Sequence, residues 1–159
     1  MKKHLNLITL AVLLVPSITF SQTEKGSVYL NGGSTLAFLD NSPGSPNGGY
    51  FVLSSKAGYF LGDNFLMSLG TDYTKYGAYS SLGLDVSARG YVGGLFGGIG
   101  IGILREGQVS RGTQLNFEAG YAAFLNDHIA LEPVLAYTRY GGDFGGGTFI
   151  GQIGIGVYF

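Results

Sequence analysis

The chain has 159 residues, 29 of them glycine, and only 9 basic and 10 acidic side chains, for a formal net charge of −1. Ordinary globular chains hold about 7% glycine and about 25% charged residues. Here four prolines and no strict three-residue glycine period exclude collagen, 45% hydrophobic residues exclude a disordered polymer, and the lack of cysteine excludes a disulfide framework, a thiolate zinc site and a lipid-accepting cysteine.

In chain order, the first element is an address. Lys2 and Lys3 form a basic start, Leu5 to Val15 an apolar core broken only by Asn6 and Thr9, and Pro16 precedes the small and polar run Ser17 to Gln22. This pattern predicts a cleavable secretory signal peptide over 1–21, cut after Ser21, because the apolar stretch falls short of the roughly 20 residues that a membrane helix needs. The mature chain, 22–159, is expected to be one domain of 138 residues with 7 basic and 10 acidic side chains. No basic run follows, so no nucleic-acid partner is expected.

After Gln22 apolar residues alternate with polar or small ones at period two, the strand signature, and no segment sustains helical spacing. Turn residues divide the pattern into eight predicted strands near 26–38, 50–60, 65–75, 80–91, 95–105, 113–124, 129–140 and 148–159. Asn31 to Gly33 offers a possible tight turn in the first, but the alternation continues across it, which favours one strand. Tight connections fall at Leu61 to Asn64, Val92 to Gly94 and Leu125 to His128; longer ones at Leu39 to Gly49, Tyr76 to Tyr79, Glu106 to Gly112 and Gly141 to Gly147. The tight turns recur at intervals of 31 and 33 residues, and the chain stops 33 residues after the last. Each interval holds one strand up, one long connection and one strand down. The predicted fold class is all-β, an eight-stranded antiparallel barrel.

Such strands fit a soluble barrel with its apolar face inward or a membrane barrel with that face outward. Residue size decides. The polar faces carry Gly, Ser, Ala and Asn, which suit a narrow lumen, and lack the many Lys and Glu residues of a soluble surface. The apolar faces carry Leu, Ile and Val in mid-strand with Phe51, Tyr59, Phe65, Tyr73, Tyr121, Tyr137, Phe149 and Phe159 toward the ends, as in a lipid-facing band with aromatic girdles. Closure also leaves no backbone group unpaired in hydrocarbon. Arg105 and Arg139 are expected to be the outward charges, both near the outer end. Lys56, Asp72, Asp85, Arg89, Glu118 and Glu132 fall on the inward faces and are expected to form a charge network in the lumen.

With the signal peptide, the hairpin spacing, the "GYF" at Gly58 to Phe60 before a short polar turn and the terminal "GIGVYF", the mature chain resembles the small outer-membrane β-barrel family, which includes the OmpA transmembrane domain and OmpX-like proteins. The resemblance implies residence in the outer membrane as a monomer, with outer-membrane lipid as its surroundings. It implies that Phe159, with Ile155 and Val157 on the same face, is a C-terminal assembly signal read by the barrel-assembly machinery. The chain departs from the family in its short outer loops, in having no peptidoglycan-binding domain, and in lacking the long protruding hairpins of OmpX-like members.

Chemistry is sparse. His4 lies in the signal peptide and His128 in a predicted turn, where capping or solvation is the expected role. Lipid-A deacylases resembling PagL need an outward His and Ser near the outer leaflet, and no His falls there. Glu118 and Glu132 on adjacent strands could form a hydrolytic carboxylate pair, but Lys56 and Arg89 share their lumen and favour an ion-pair reading. The glycine run Gly93 to Gly102 has period two, with no Lys-Ser or Lys-Thr and no helix after it, so it is not a phosphate loop. No catalytic residue, metal or cofactor is expected. The sequence therefore points to a non-catalytic envelope protein with its lumen plugged by polar side chains. The alternatives are a narrow path for small or hydrophobic solutes, as in OmpW-like proteins, and a soluble lipocalin-like binder.

Overall fold

The computed structural model describes residues 20–37, 50–76, 79–106, 110–142 and 146–159. The predicted signal peptide, apart from Phe20 and Ser21, and the long connection at 39–49 lie outside these residues.

Among the described residues nine strands form one sheet: β1 (Val28–Ala37), β2 (Tyr50–Gly62), β3 (Phe65–Tyr76), β4 (Tyr79–Val92), β5 (Leu95–Glu106), β6 (Ser110–Tyr121), β7 (Ala123–Phe124), β8 (Ile129–Gly142) and β9 (Gly147–Tyr158). All pairings are antiparallel, and β1 pairs with both β2 and β9, so the sheet closes and has no free edge. β6 and β7 are one stave interrupted at Ala122, and the barrel therefore has eight staves. The interruption has a chemical cause. Gly120 pairs with Val134 and Ala123 with Leu131, so no residue is inserted, and the gap lies opposite Glu132 and Pro133. Proline has no N–H for a ladder bond. On the other side Ala122 N donates to Gly94 O at 2.8 Å, next to the Leu95–Tyr121 pair.

The alternation locates every predicted strand, and its ends shift by at most three residues. The largest shift is in β6, which begins at Ser110 and so makes Arg111 the cross-strand partner of Arg105. β1 runs unbroken through Asn31, Gly32 and Gly33, each paired with β2. Two of the tight turns use the left-handed backbone their residues favour: Gly93 and Gly94 have φ of 58° and 84° between the paired Val92 and Leu95, and Asn64 has φ of 62°.

Leu53, Leu69, Leu84, Ile101, Leu135 and Ile153 all project outward and are exposed, and the barrel thus presents its apolar face to its surroundings. This arrangement is opposite to that of a soluble binder with an apolar interior. Tyr59, Phe65, Tyr121 and Phe159 ring the turn end on this face, and Phe51, Tyr73, Tyr137 and Phe149 ring the loop end. Eight residues separate Phe51 from Tyr59, about 26 Å along a strand and roughly 20 Å along a barrel axis tilted by about 40°. Arg105 and Arg139 are exposed at the loop end, and Lys75 is a third exposed cation on the outward parity that the sequence reading omits.

The buried core sits inside the barrel at the turn end. Tyr29, Phe60, Leu66, Tyr91, Phe96, Ala122, Ala130, Val134 and Tyr158 form one cluster, with Phe124 packed against it. Ring centroids stand 5.0 Å apart for Phe124 and Tyr158, 5.1 Å for Tyr29 and Tyr158, 5.4 Å for Tyr91 and Phe96, and 5.6 Å for Phe60 and Tyr91. These separations suit tilted and edge-to-face aromatic contacts.

Candidate functional site

The inward charges occupy two levels of the lumen. Directly above the aromatic cluster, Lys56, Arg89, Glu118 and Glu132 make a continuous chain of ion pairs. Lys56 Nζ lies 2.9 Å from Glu118 Oε2, Arg89 Nε 2.9 Å from Glu118 Oε1, and Arg89 Nη1 3.2 Å from Glu132 Oε2. Asp72 and Asp85 lie nearer the loop end and belong to none of these pairs.

Glu132 is 0% exposed, and its burial is compensated by four donors. Tyr29 Oη donates to Oε2 at 2.7 Å, Tyr158 Oη to Oε1 at 2.7 Å, Asn31 Nδ2 to Oε2 at 3.2 Å, and Arg89 Nη1 to Oε2 at 3.2 Å. Arg89 Nη1 also donates to Tyr29 Oη at 2.8 Å and to Tyr91 Oη at 3.2 Å. The guanidinium carbon lies 4.1 Å from the centroid of the Phe96 ring and 5.3 Å from that of Tyr29. The Arg89 fork therefore meets two carboxylates, two phenols and two ring faces at once, a combination open to a planar guanidinium and closed to a lysine ammonium.

Sequence reasoning missed the tyrosines. It gave the outward girdles to aromatic residues and no role to those on the inward parity, Tyr158 among them, whereas Tyr29, Tyr91 and Tyr158 point inward, and their hydroxyls join the ion-pair level to the aromatic level. A signal was present, because each falls on the inward parity of its strand, next to an outward apolar neighbour such as Leu30, Val92 or Phe159. The inward side chains at this end form two layers, polar above and aromatic below.

The lumen accommodates long side chains by placing glycine opposite them. A Cβ on Gly98 would come within 2.8 Å of Glu118 Oε1, one on Gly102 within 2.8 Å of Gln114 Nε2, one on Gly154 within 2.8 Å of Asn31 Nδ2, and one on Gly120 within 2.5 Å of the Phe96 ring. One on Gly70 would press on the Asp85 carboxylate, and one on Gly156 on Glu132 Oε1. Large and small residues thus interlock across neighbouring strands, as a narrow barrel requires. Gly156→Ala is expected to displace the Glu132 carboxylate and lower stability by about 1–3 kcal/mol, the usual effect of overpacking. Gly32→Ala, which meets nothing within 4 Å, should change it by about 0.5 kcal/mol or less. Urea unfolding of the two variants in lipid vesicles compares them directly, and equal effects would remove the interlock argument.

Other expected positions have plainer surroundings. His128 Nδ1 lies 2.9 Å from Tyr158 O, and Asn126 Oδ1 accepts from the backbone N–H groups of His128 and Ile129, both at 2.8 Å, so the imidazole belongs to a closed turn. Glu118 and Glu132 both face Arg89, which holds neither as a free acid–base pair. Ile155 and Phe159 are exposed on the outward face of β9, with Val157 half-buried on the same parity.

The fold is that of small outer-membrane barrels in solved structures. The chain is similar to the N-terminal β-barrel domain of Pseudomonas aeruginosa OprF, with 18% identity, a TM-score of 0.55, and coverage of 85% of this chain and 98% of that one. It is similar to the P. aeruginosa outer membrane protein OprG, with 15% identity, a TM-score of 0.55, and coverage of 86% and 97%. It is also similar to the Yersinia pestis outer membrane protein Ail in a phospholipid bilayer nanodisc, with 14% identity, a TM-score of 0.54, and coverage of 85% and 100%. No family model and no curated protein sequence matches the chain.

Proposed function

We propose that the protein is a monomeric, non-catalytic outer-membrane barrel with a structural role in the envelope, exported by a signal peptide over 1–21, its turn end toward the periplasm. The observation that supports the structural role is the pairing of Arg89 with Glu118 and Glu132 above the aromatic cluster, a buried arrangement inside the barrel at the turn end. The outward apolar face between two aromatic rings supports the membrane location, as does the likeness to three outer-membrane proteins. The outward Ile155, Val157 and Phe159 support recognition of β9 by the barrel-assembly machinery. A second reading, a narrow solute path, draws on the upper lumen, where Gly70, Gly83 and Gly102 stand among Asp72, Asp85 and Gln114.

The test is expression of the full chain, followed by membrane fractionation, heat-modifiable gel migration and planar-bilayer conductance. The expected result is a detergent-dependent, heat-modifiable monomer with no steady conductance, and a smaller folded fraction when Phe159 is deleted. A detergent-free soluble monomer would overturn the membrane location. Discrete channel steps would replace the structural role with the solute path.

A further inference from the structure

The upper lumen holds negative charge that the ion pairs leave unbalanced. Lys56 and Arg89 face four inward carboxylates, and the three ion pairs use only Glu118 and Glu132. Asp85 is 5% exposed, and its Oδ2 has no hydrogen-bond partner; Gln114 is 6% exposed, and its Nε2 has none. Strand register brings these groups together. Asp85, Gly102 and Gln114 stand side by side across β4, β5 and β6, while Asp72, half-buried and nearer the loop end, pairs with Gly83.

The glycines mark where the side chains converge. The Cβ position above Gly83 lies 3.2 Å from Gln114 Nε2 and 3.6 Å from Asp72 Oδ2. The one above Gly102 lies 2.8 Å from Gln114 Nε2 and 2.9 Å from Asp85 Cβ. Asp72 Oδ2 and the Gln114 amide thus share the space above Gly83, and the Asp85 carboxylate lies beside it over Gly70, Asp72 and Asp85 being diagonal neighbours on β3 and β4.

Lys56, the cation beside Asp72 and Asp85, is already paired with Glu118, so this part of the lumen keeps an excess of negative charge that a doubly charged cation would balance. The donors are hard oxygens, since the amide presents Oε1 when it turns over, with no nitrogen or sulfur ligand of the kind that selects transition metals. Calcium accepts an irregular shell of 6–8 oxygens that water can complete, whereas magnesium demands a near-ideal octahedron and gives up its water reluctantly. The geometry points to a calcium-sized divalent cation site formed by Asp72, Asp85 and Gln114 in the upper lumen. Among the described residues no three His, Cys, Asp or Glu side chains converge, so the affinity falls at the weak end, about 10⁻⁴–10⁻³ M. The site does not depend on whether the lumen conducts.

Terbium, a calcium mimic, gives the direct test on the refolded full barrel in detergent. The chain has 11 tyrosines and no tryptophan, and Tyr140 is the cross-strand partner of Gln114, so tyrosine excitation reports terbium held in the lumen. The expected result is a saturable luminescence that calcium reverses. Asp72→Asn and Asp85→Asn should each reduce it at least fivefold, while Asp127→Asn, in an exposed turn, leaves it intact. Heat-modifiable migration confirms that every variant is folded, and calcium competition on the unaltered chain needs no variant. Luminescence that survives in both lumen variants would overturn the site, as would equal reversal by sodium or ammonium at matched ionic strength.

Discussion

Arg89→Met is expected to lower the unfolding free energy by about 3–5 kcal/mol, the usual effect of leaving buried carboxylates without their counter-ion. Glu132 would keep Tyr29, Tyr158 and Asn31 as donors but lose its only ion pair among the described residues, and Glu118 would keep only Lys56. The double variant Arg89→Met with Glu132→Gln should recover at least half of that loss, because an uncharged amide no longer needs the guanidinium. Urea unfolding in vesicles measures both. A single variant within about 0.5 kcal/mol of the parent would mean that Arg89 is not the centre of the lumen cluster.

The second large effect concerns the outer surface. Ile101 is 66% exposed near the middle of β5, and its cross-strand neighbours Val86 and Leu115 continue the apolar face. Ile101→Arg is expected to cost about 2–4 kcal/mol, the value for a lipid-facing arginine near midplane, whereas Arg105→Ile on the same strand should change stability by about 1 kcal/mol or less. Unfolding in vesicles of both variants gives the contrast. If Ile101→Arg were harmless, the surface at Ile101 would face water, and the reading of the aromatic rings as membrane boundaries would fail with it.

Much of this architecture was legible in the chain because strand parity is a local property. Phe149, Gly151, Ile153, Ile155, Val157 and Phe159 announce β9 and its outward face without reference to any other strand, and Gly93-Gly94 announces its turn. Parity likewise identified six inward charges. It did not divide them by height, which depends on distance from the turns. Arg89 stands four residues before Gly93, and Glu132 four residues after His128, whereas Asp72 and Asp85 each stand eight residues from their turn. Counting from the turns would have set Arg89 and Glu132 apart from Asp72 and Asp85, but not Glu118, which stands seven residues before Leu125 and reaches Arg89 and Lys56 through its longer side chain. The aromatic layer was harder to foresee, since Tyr29, Phe60, Tyr91 and Tyr158 are widely spaced along the chain and meet only when the closed sheet fixes every register. Pro133 is a case of the opposite kind: its missing N–H could be read from the sequence, but its effect on the partner strand required knowing that Tyr121 and Ala122 lie across from Glu132 and Pro133.

The interlock of long side chains with facing glycines also bears on how such a chain can diverge. Gly98 with Glu118, Gly102 with Gln114 and Gly70 with Asp85 are each a single unit of volume divided between two strands, so neither partner can change alone without crowding or a void. The lumen is written in two-residue words rather than independent letters. Descendants of this chain would therefore drift by paired replacements across strands, while the outward apolar positions, which have no such facing partner in the lumen, exchange Leu, Ile and Val one at a time.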